Sequence, residues 1–320
     1  MMDLFKTAFR GFEPADFACY TRDKWSSRLH NRARMNVQGK LTALGRGLQE
    51  ALSDKLQALV FETNDPIPSV FNSHAVDAQW LFLIRDQENR RALSTIIDRE
   101  HTLADNLKDS ALSKRHLILA AKLHEGGLDV MLGLHRHAWV DVQNVLRKLS
   151  FEQEGRRLAR LLGELPAELA EHLHVVGPLG VEPLATVEAG RLLEHVRAFS
   201  DEHDWLILGR NFAADAPELQ DAALVGQVAA HFEALLPLYR LLAWSKENDW
   251  LSLQLSLHEQ KEQAKRGELE AGDEVKVTSG LFQGRTGVVQ SVDKEGMAKV
   301  QLGKMVVQIK VQALQPLHAA

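Results

Sequence analysis

The stretch Gly272-Asp273-Glu274-Val275-Lys276-Val277-Thr278-Ser279-Gly280-Leu281-Phe282-Gln283-Gly284-Arg285-Thr286-Gly287-Val288-Val289 decides how the C-terminal part of this chain folds. Val275 and Val277 share one face of an extended strand, because successive side chains on a strand point to opposite sides. The same alternation recurs at Ala298, Val300 and Leu302, and again at Val307, Ile309 and Val311. Asp293-Lys294-Glu295-Gly296 and Gly303-Lys304 are turn candidates between these runs. Glycine ahead of lysine suits a type II′ hairpin turn, whose first central residue needs positive φ. Gly280, Gly284 and Gly287 let the chain turn sharply between Val277 and Val288. Several short strands joined by tight turns predict a small β-barrel over residues 268–320, a shape that closes its own edges.

Gly272, Val275, Val277, Gly280, Phe282, Gly284, Gly287, Val288 and Val292-Asp293 together resemble the KOW motif, most closely as it occurs in NusG-type transcription elongation factors. The resemblance covers the chain from Glu268 onward. It implies an SH3-like barrel that binds RNA, the ribosome or the transcription machinery, and it implies no catalysis. On that basis Gly280, Phe282, Gly284 and Arg285 are the expected partner-binding residues. Residues 1–257 do not carry the pattern of the domain that precedes KOW in NusG-type factors, so the resemblance transfers a module and not a whole protein.

Charge refines the expected ligand. From Glu268 onward Glu268, Glu270, Asp273, Glu274, Asp293 and Glu295 balance Lys276, Arg285, Lys294, Lys299, Lys304 and Lys310. Backbone-driven nucleic-acid binding draws on net positive charge, so a protein-facing barrel is favoured; packing within the chain is the competing use. Just upstream, His258-Glu259-Gln260-Lys261-Glu262-Gln263-Ala264-Lys265-Arg266 is polar and helix-favouring, and Gly267 suits its C-terminus. Residues 258–267 are therefore expected to form a helical linker.

Residues 1–257 read as an α+β domain of mixed helices and antiparallel sheet. Val37, Leu41, Leu44, Leu48 and Leu52 recur at helical spacing, and Leu56 and Leu59 extend the stripe toward Pro66 and Pro68. Gln79–Ile84 and Trp205–Gly209 read as strands. The apolar runs 117–123 and 128–134 around His124-Glu125-Gly126-Gly127 read as a hairpin with positive φ at the turn glycine. Residues 87–107, 138–149, 152–162, 187–199 and 218–236 have helical spacing, and Pro237 should kink or restart the last helix. Leu251, Leu253, Leu255 and Leu257 alternate with polar residues as a final strand would. No regular βαβ rhythm appears, which argues against a doubly wound sheet.

The whole chain has 320 residues, 45% of them apolar, and a net charge of −5. That charge excludes a generally basic nucleic-acid coat, so any nucleic-acid contact must be local. A single cysteine, Cys19, can make neither an internal disulfide nor a zinc ribbon. A reducing cytoplasmic location is expected, and no window approaches a membrane span.

Among individual residues, the strongest basic cluster is Arg22, Lys24, Arg28, Arg32, Arg34, Lys40 and Arg46. Lys24, Arg28 and Arg32 would form a row on a helix. Lys24, Arg28, Arg32 and Arg34 are the candidate nucleic-acid contacts, against the alternative of a solvated helix face balanced by acids elsewhere. His135, His137 and Asp141, and separately His172 and His174, carry metal-ligand side chains without the spacing of a known metal site. No phosphate loop or nucleophile elbow is present, and Cys19 has no activating histidine nearby in sequence. The expectation is a binding protein of transcription or translation, docking on RNA polymerase, the ribosome or RNA, with no catalytic residues, metal or cofactor assigned. The alternative is an enzyme acting on nucleic acid or protein, with the barrel as its targeting module and His135, His137 and Asp141 as its candidate groups.

Overall fold

The computed structural model describes residues 8–100, 111–252, 269–293 and 297–317. They divide into two compact units, residues 1–250 and 251–320. Residues 258–267, read as a linker, lie outside the described set, as do residues 253–257 of the alternating leucine stretch. The residues at 250–252, where that stretch begins, are helical.

The first unit is built on one antiparallel sheet of seven strands: β1 (Leu59–Thr63), β2 (Ala78–Arg85), β3 (Ile118–His124), β4 (Gly127–His135), β5 (His174–Gly177), β6 (Gly180–Pro183) and β7 (Trp205–Ala213). Their spatial order is β1-β2-β3-β4-β7-β5-β6. The described helices of eight residues or more are α1 (Asn31–Ala51), α2 (Gln87–Glu100), α3 (Trp139–Lys148), α4 (Glu152–Gly163), α5 (Ala189–Arg197) and α6 (Leu224–Leu242). Every strand pair is antiparallel, so the unit is α+β.

Strand alternation sets the layers. Leu81 and Leu83, Leu119 and Leu123, Val130 and Leu132, and Leu206 and Leu208 share one sheet face. That face forms the main core with Val37, Leu41, Leu44 and Leu48 of α1 and Val228, Phe232 and Leu235 of α6. Truncating one of these leucines to alanine costs about 2–5 kcal/mol. The opposite face is also apolar: Phe82, Ile84, Ile118, Ala120 and Met131 are buried there, beside the stacked rings of Trp80 and Trp205, whose centroids are 5.6 Å apart.

One local reading of the sequence is corrected and two are sharpened. The α1 stripe stops at Leu52, and Leu59 opens β1. A 3-10 turn at Ser53–Lys55 and left-handed Ala58, at φ 61°, break the helix between them. Of the two outcomes expected at Pro237, a restart does not occur, since α6 runs through it. It lies on the exposed side, where the carbonyl of Glu233 can turn to water in place of the missing N–H. In the β3–β4 hairpin the positive φ, 139°, is supplied by Gly127. A Cβ on Gly127 would lie 2.0 Å from the Phe212 carbonyl oxygen, so β7 packs too closely there for any other residue.

The second unit is a five-stranded antiparallel sheet of β8 (Glu274–Val277), β9 (Thr286–Val292), β10 (Met297–Leu302), β11 (Met305–Lys310) and β12 (Leu314–Pro316), ordered β11-β10-β9-β8-β12. A register shift between Lys299 and Val300 interrupts the β9–β10 ladder and bends it. A 3-10 turn at Val311–Ala313 links β11 to β12. Val275, Val277, Val289, Ala298, Val300, Leu302, Ile309 and Leu314 form a core separate from that of the first unit. The mixed helix and antiparallel-sheet body followed by a small β module is the architecture that the alternation in the sequence implied. No described helix is long and apolar enough to cross a membrane.

Candidate functional site

The loop between β8 and β9 is exposed along most of its length. It leaves the sheet at Val277 and returns at Arg285, where the Val277 N–H donates to the Arg285 carbonyl at 2.8 Å and the Gly284 N–H to the Val277 carbonyl at 2.8 Å. Inside this closure the Gln283 N–H donates to the Gly280 carbonyl and the Arg285 N–H to the Phe282 carbonyl, each at 3.1 Å. These two overlapping turns place Gly280 and Gly284 at φ 87° and 86°, where a side chain would be strained. Gly287 serves a different need: a Cβ there would lie 2.4 Å from the Gln301 carbonyl oxygen, so glycine lets β9 approach β10. At the turn between β10 and β11 Gly303, at φ 65°, precedes Lys304, whose φ is not positive, as a type II′ hairpin requires.

The loop's side chains divide into an anchor and a display. Phe282 is half-buried and packs against the module's core. Leu281, which sequence reasoning passed over, is 95% exposed, and Gln283, Gly284 and Arg285 are exposed beside it. The sequence signals that one of two large apolar neighbours between the turn glycines, Leu281 and Phe282, must stay outside, and the structure leaves Leu281 there. An apolar tip beside a cation, on a loop held by backbone hydrogen bonds and an aromatic root, is suited to contact a macromolecular surface.

The other sequence candidates are placed as follows. Lys24 and Arg28 sit in two separate 3-10 turns, Arg22–Lys24 and Arg28–His30, and Arg32 lies in the first turn of α1, so no single helix presents the three as a row. Arg34 is fully buried. Its guanidinium donates to the carbonyls of Ser27 at 3.0 Å, Trp25 at 3.3 Å and Lys24, which closes the 24–27 turn onto α1 and removes Arg34 from the surface. Lys24 donates to the Ala18 carbonyl at 2.7 Å, and Lys40 pairs with Asp16 at 2.6 Å.

The histidine candidates do not converge on Asp141. Asp141 is buried at the centre of a polar bracket: it accepts the Arg85 guanidinium through both oxygens, the Leu117 N–H at 2.7 Å and the Trp244 N–H at 2.8 Å. The Arg85 Nε–H donates to the Trp244 carbonyl at 2.8 Å. Burial alone would lower the pKa of Arg85; the Asp141 carboxylate more than offsets it, and the net shift is upward. His135 is buried against Trp205, its Nδ1 accepts the His137 N–H at 3.0 Å, and burial followed by the neighbouring His137 lowers its pKa to about 3. His116, beside Arg85, is lowered to about 3 by burial and then by that guanidinium. His172 and His174 are both exposed. Among the described residues no group of three or more His, Cys, Asp or Glu side chains could hold a metal ion. Cys19 is buried, its thiol donates to the Ala15 carbonyl, and burial raises its pKa, the opposite of what a nucleophile needs.

Loop, sheet order and glycine geometry define the second unit as a small β module built to present one loop. Residues 271–302 match the family model of the KOW motif. No curated protein matches the chain.

Proposed function

We propose that this chain is a non-enzymatic, cytoplasmic binding protein of the transcription or translation machinery. Its KOW module, residues 268–320, docks on RNA polymerase, the ribosome or RNA, and residues 258–267 act as the linker that carries it. The observation behind this reading is the KOW match combined with the loop Gly280–Arg285, which offers Leu281 and Arg285 outward while Phe282 roots it in the core. Like the NusG-type module it resembles, the loop uses glycine hinges and an aromatic root and carries no catalytic group. The near-neutral charge of the module favours a protein component of these assemblies over naked RNA.

In-cell crosslinking with mass spectrometry on the full chain tests the reading. Crosslinks from the 279–285 loop to polymerase or ribosomal components are expected. Crosslinks from that loop to metabolic enzymes alone, with none to either machine, would overturn it.

A further inference from the structure

A second surface, on the first unit, points to a different ligand chemistry. From Arg22 to Gln49 the chain contains one acidic residue, Asp23, although the protein as a whole carries −5. Arg22, Arg28 and Arg32 in this stretch are exposed, and their guanidinium groups make no hydrogen bond or ion pair among the described residues. Elsewhere in the unit exposed or half-buried cations commonly find acids: Lys55 with Glu233, Arg90 with Glu62, Arg156 with Glu152 and Arg191 with Glu182. Arg10, Arg160 and Arg197 likewise have no acid partner among the described residues, but only Arg22, Arg28 and Arg32 gather within eleven consecutive residues.

Their position does not serve the fold either. Arg28 and Arg32 flank the start of α1, where the helix dipole disfavours positive charge. Yet the segment is held firmly. Arg34 closes the 24–27 turn from below, the Trp25 indole N–H donates to the Tyr20 carbonyl at 2.7 Å, and the Tyr20 hydroxyl donates to Gln79 of β2 at 2.6 Å. Three unpaired guanidiniums on a pinned backbone are arranged in advance for a polyanion, and their planar forks match phosphate oxygens. Leu29 and Met35, 92% and 55% exposed, share this surface. Two apolar side chains are too few to seat a lipid-embedded face, so the balance of charge and apolar area favours a phosphodiester chain over a membrane.

We infer that Arg22, Arg28 and Arg32 form an RNA-backbone contact surface on the first unit, separate from the loop of the KOW module. The contact is to phosphate and is independent of sequence.

The test is fluorescence anisotropy of full-length protein with a labelled mixed-sequence single-stranded RNA of roughly 20 nucleotides, for wild type and for a variant combining Arg22→Gln, Arg28→Gln and Arg32→Gln. Three phosphate contacts on a single strand make the slope of log affinity against log salt steeper by about 2. The advantage of wild type over the variant should therefore shrink about 18-fold as salt rises from about 50 to about 200 mM. Leu281→Ser should leave that difference unchanged. Equal salt slopes for wild type and variant overturn the inference, as does absence of RNA binding by wild type. Arginine-dependent binding to phosphatidylserine vesicles without RNA binding also overturns it, in favour of a membrane. Loss of RNA binding in Leu281→Ser with full binding by the triple variant overturns it while leaving the KOW reading intact.

Discussion

Replacing Asp141 with Asn should strongly destabilise the first unit while changing its folded shape very little. The Asp141 carboxylate accepts from the Arg85 guanidinium, Leu117 and Trp244 at once, and so ties β2, the start of β3 and the segment after α6 to α3. An amide keeps one acceptor but turns an NH2 toward donors, and it leaves the Arg85 charge buried without a counter-charge. Breaking a buried pair by removing one partner costs about 3–5 kcal/mol. Against a domain stability of about 5–15 kcal/mol, that is a large share of the total. Urea unfolding followed by tryptophan fluorescence reads it directly, since Trp244 is 3% exposed beside the bracket. The double variant Arg85→Met with Asp141→Leu is the control. It removes both charges together and should lose less than Asp141→Asn does. A loss below about 1 kcal/mol for Asp141→Asn, near that of an ordinary neutral hydrogen bond, would refute the account of this bracket.

Further outcomes follow from the same geometry. Arg34→Ala should destabilise the first unit by about 1.5–3 kcal/mol, the worth of hydrogen bonds to a charged group, and limited proteolysis should then cut first within residues 22–28. Gly287→Ala places a methyl against the Gln301 carbonyl and Leu302. It should cost the second unit about 1–3 kcal/mol, with faster amide exchange in β9 and β10 and unchanged exchange in β4. His116 and His135 have folded-state pKa values of about 3, below the unfolded value of about 6.5. The unfolded chain therefore binds protons first, and the stability these residues contribute is complete above about pH 6.5 and falls as pH drops toward 3, by up to about 1.4 kcal/mol per pH unit for each. Urea midpoints at pH 7.5 and 5 check the sign, and His135→Phe should flatten the slope.

Much of the fold was legible where one physical signal dominated. The hairpin of β3 and β4 is visible because two long apolar runs meet at consecutive glycines, and the C-terminal sheet because its alternation is strict. The sequence misled where local and distant demands competed. Leu56 and Leu59 continue a helical spacing by coincidence, while the left-handed turn at Ala58 is set by pairing of β1 with β2. The β5–β6 hairpin went unread although Gly177-Pro178-Leu179-Gly180 is a turn signal, because its strands are only four residues each. At the sites, charge type was readable but burial was not. Arg28 and Arg34 look alike in sequence, and only the backbone carbonyls gathered around Arg34 separate a structural arginine from a displayed one. The glycine frame of the KOW loop was evident, whereas the exposure of Leu281 depends on which neighbour, Phe282, takes the inward position.

Docking on the gene-expression machinery, as we propose it, depends on the Gly280–Arg285 loop. The most direct measurement is the affinity of full-length protein for purified RNA polymerase and for purified ribosomes, compared with a variant carrying Leu281→Ser and Arg285→Glu. Loss of a principal contact worth about 2 kcal/mol predicts roughly 30-fold weaker binding to one of the two machines, with the stability of the first unit unchanged. Equal affinity of variant and wild type for both machines, or no binding of wild type to either, would contradict the account.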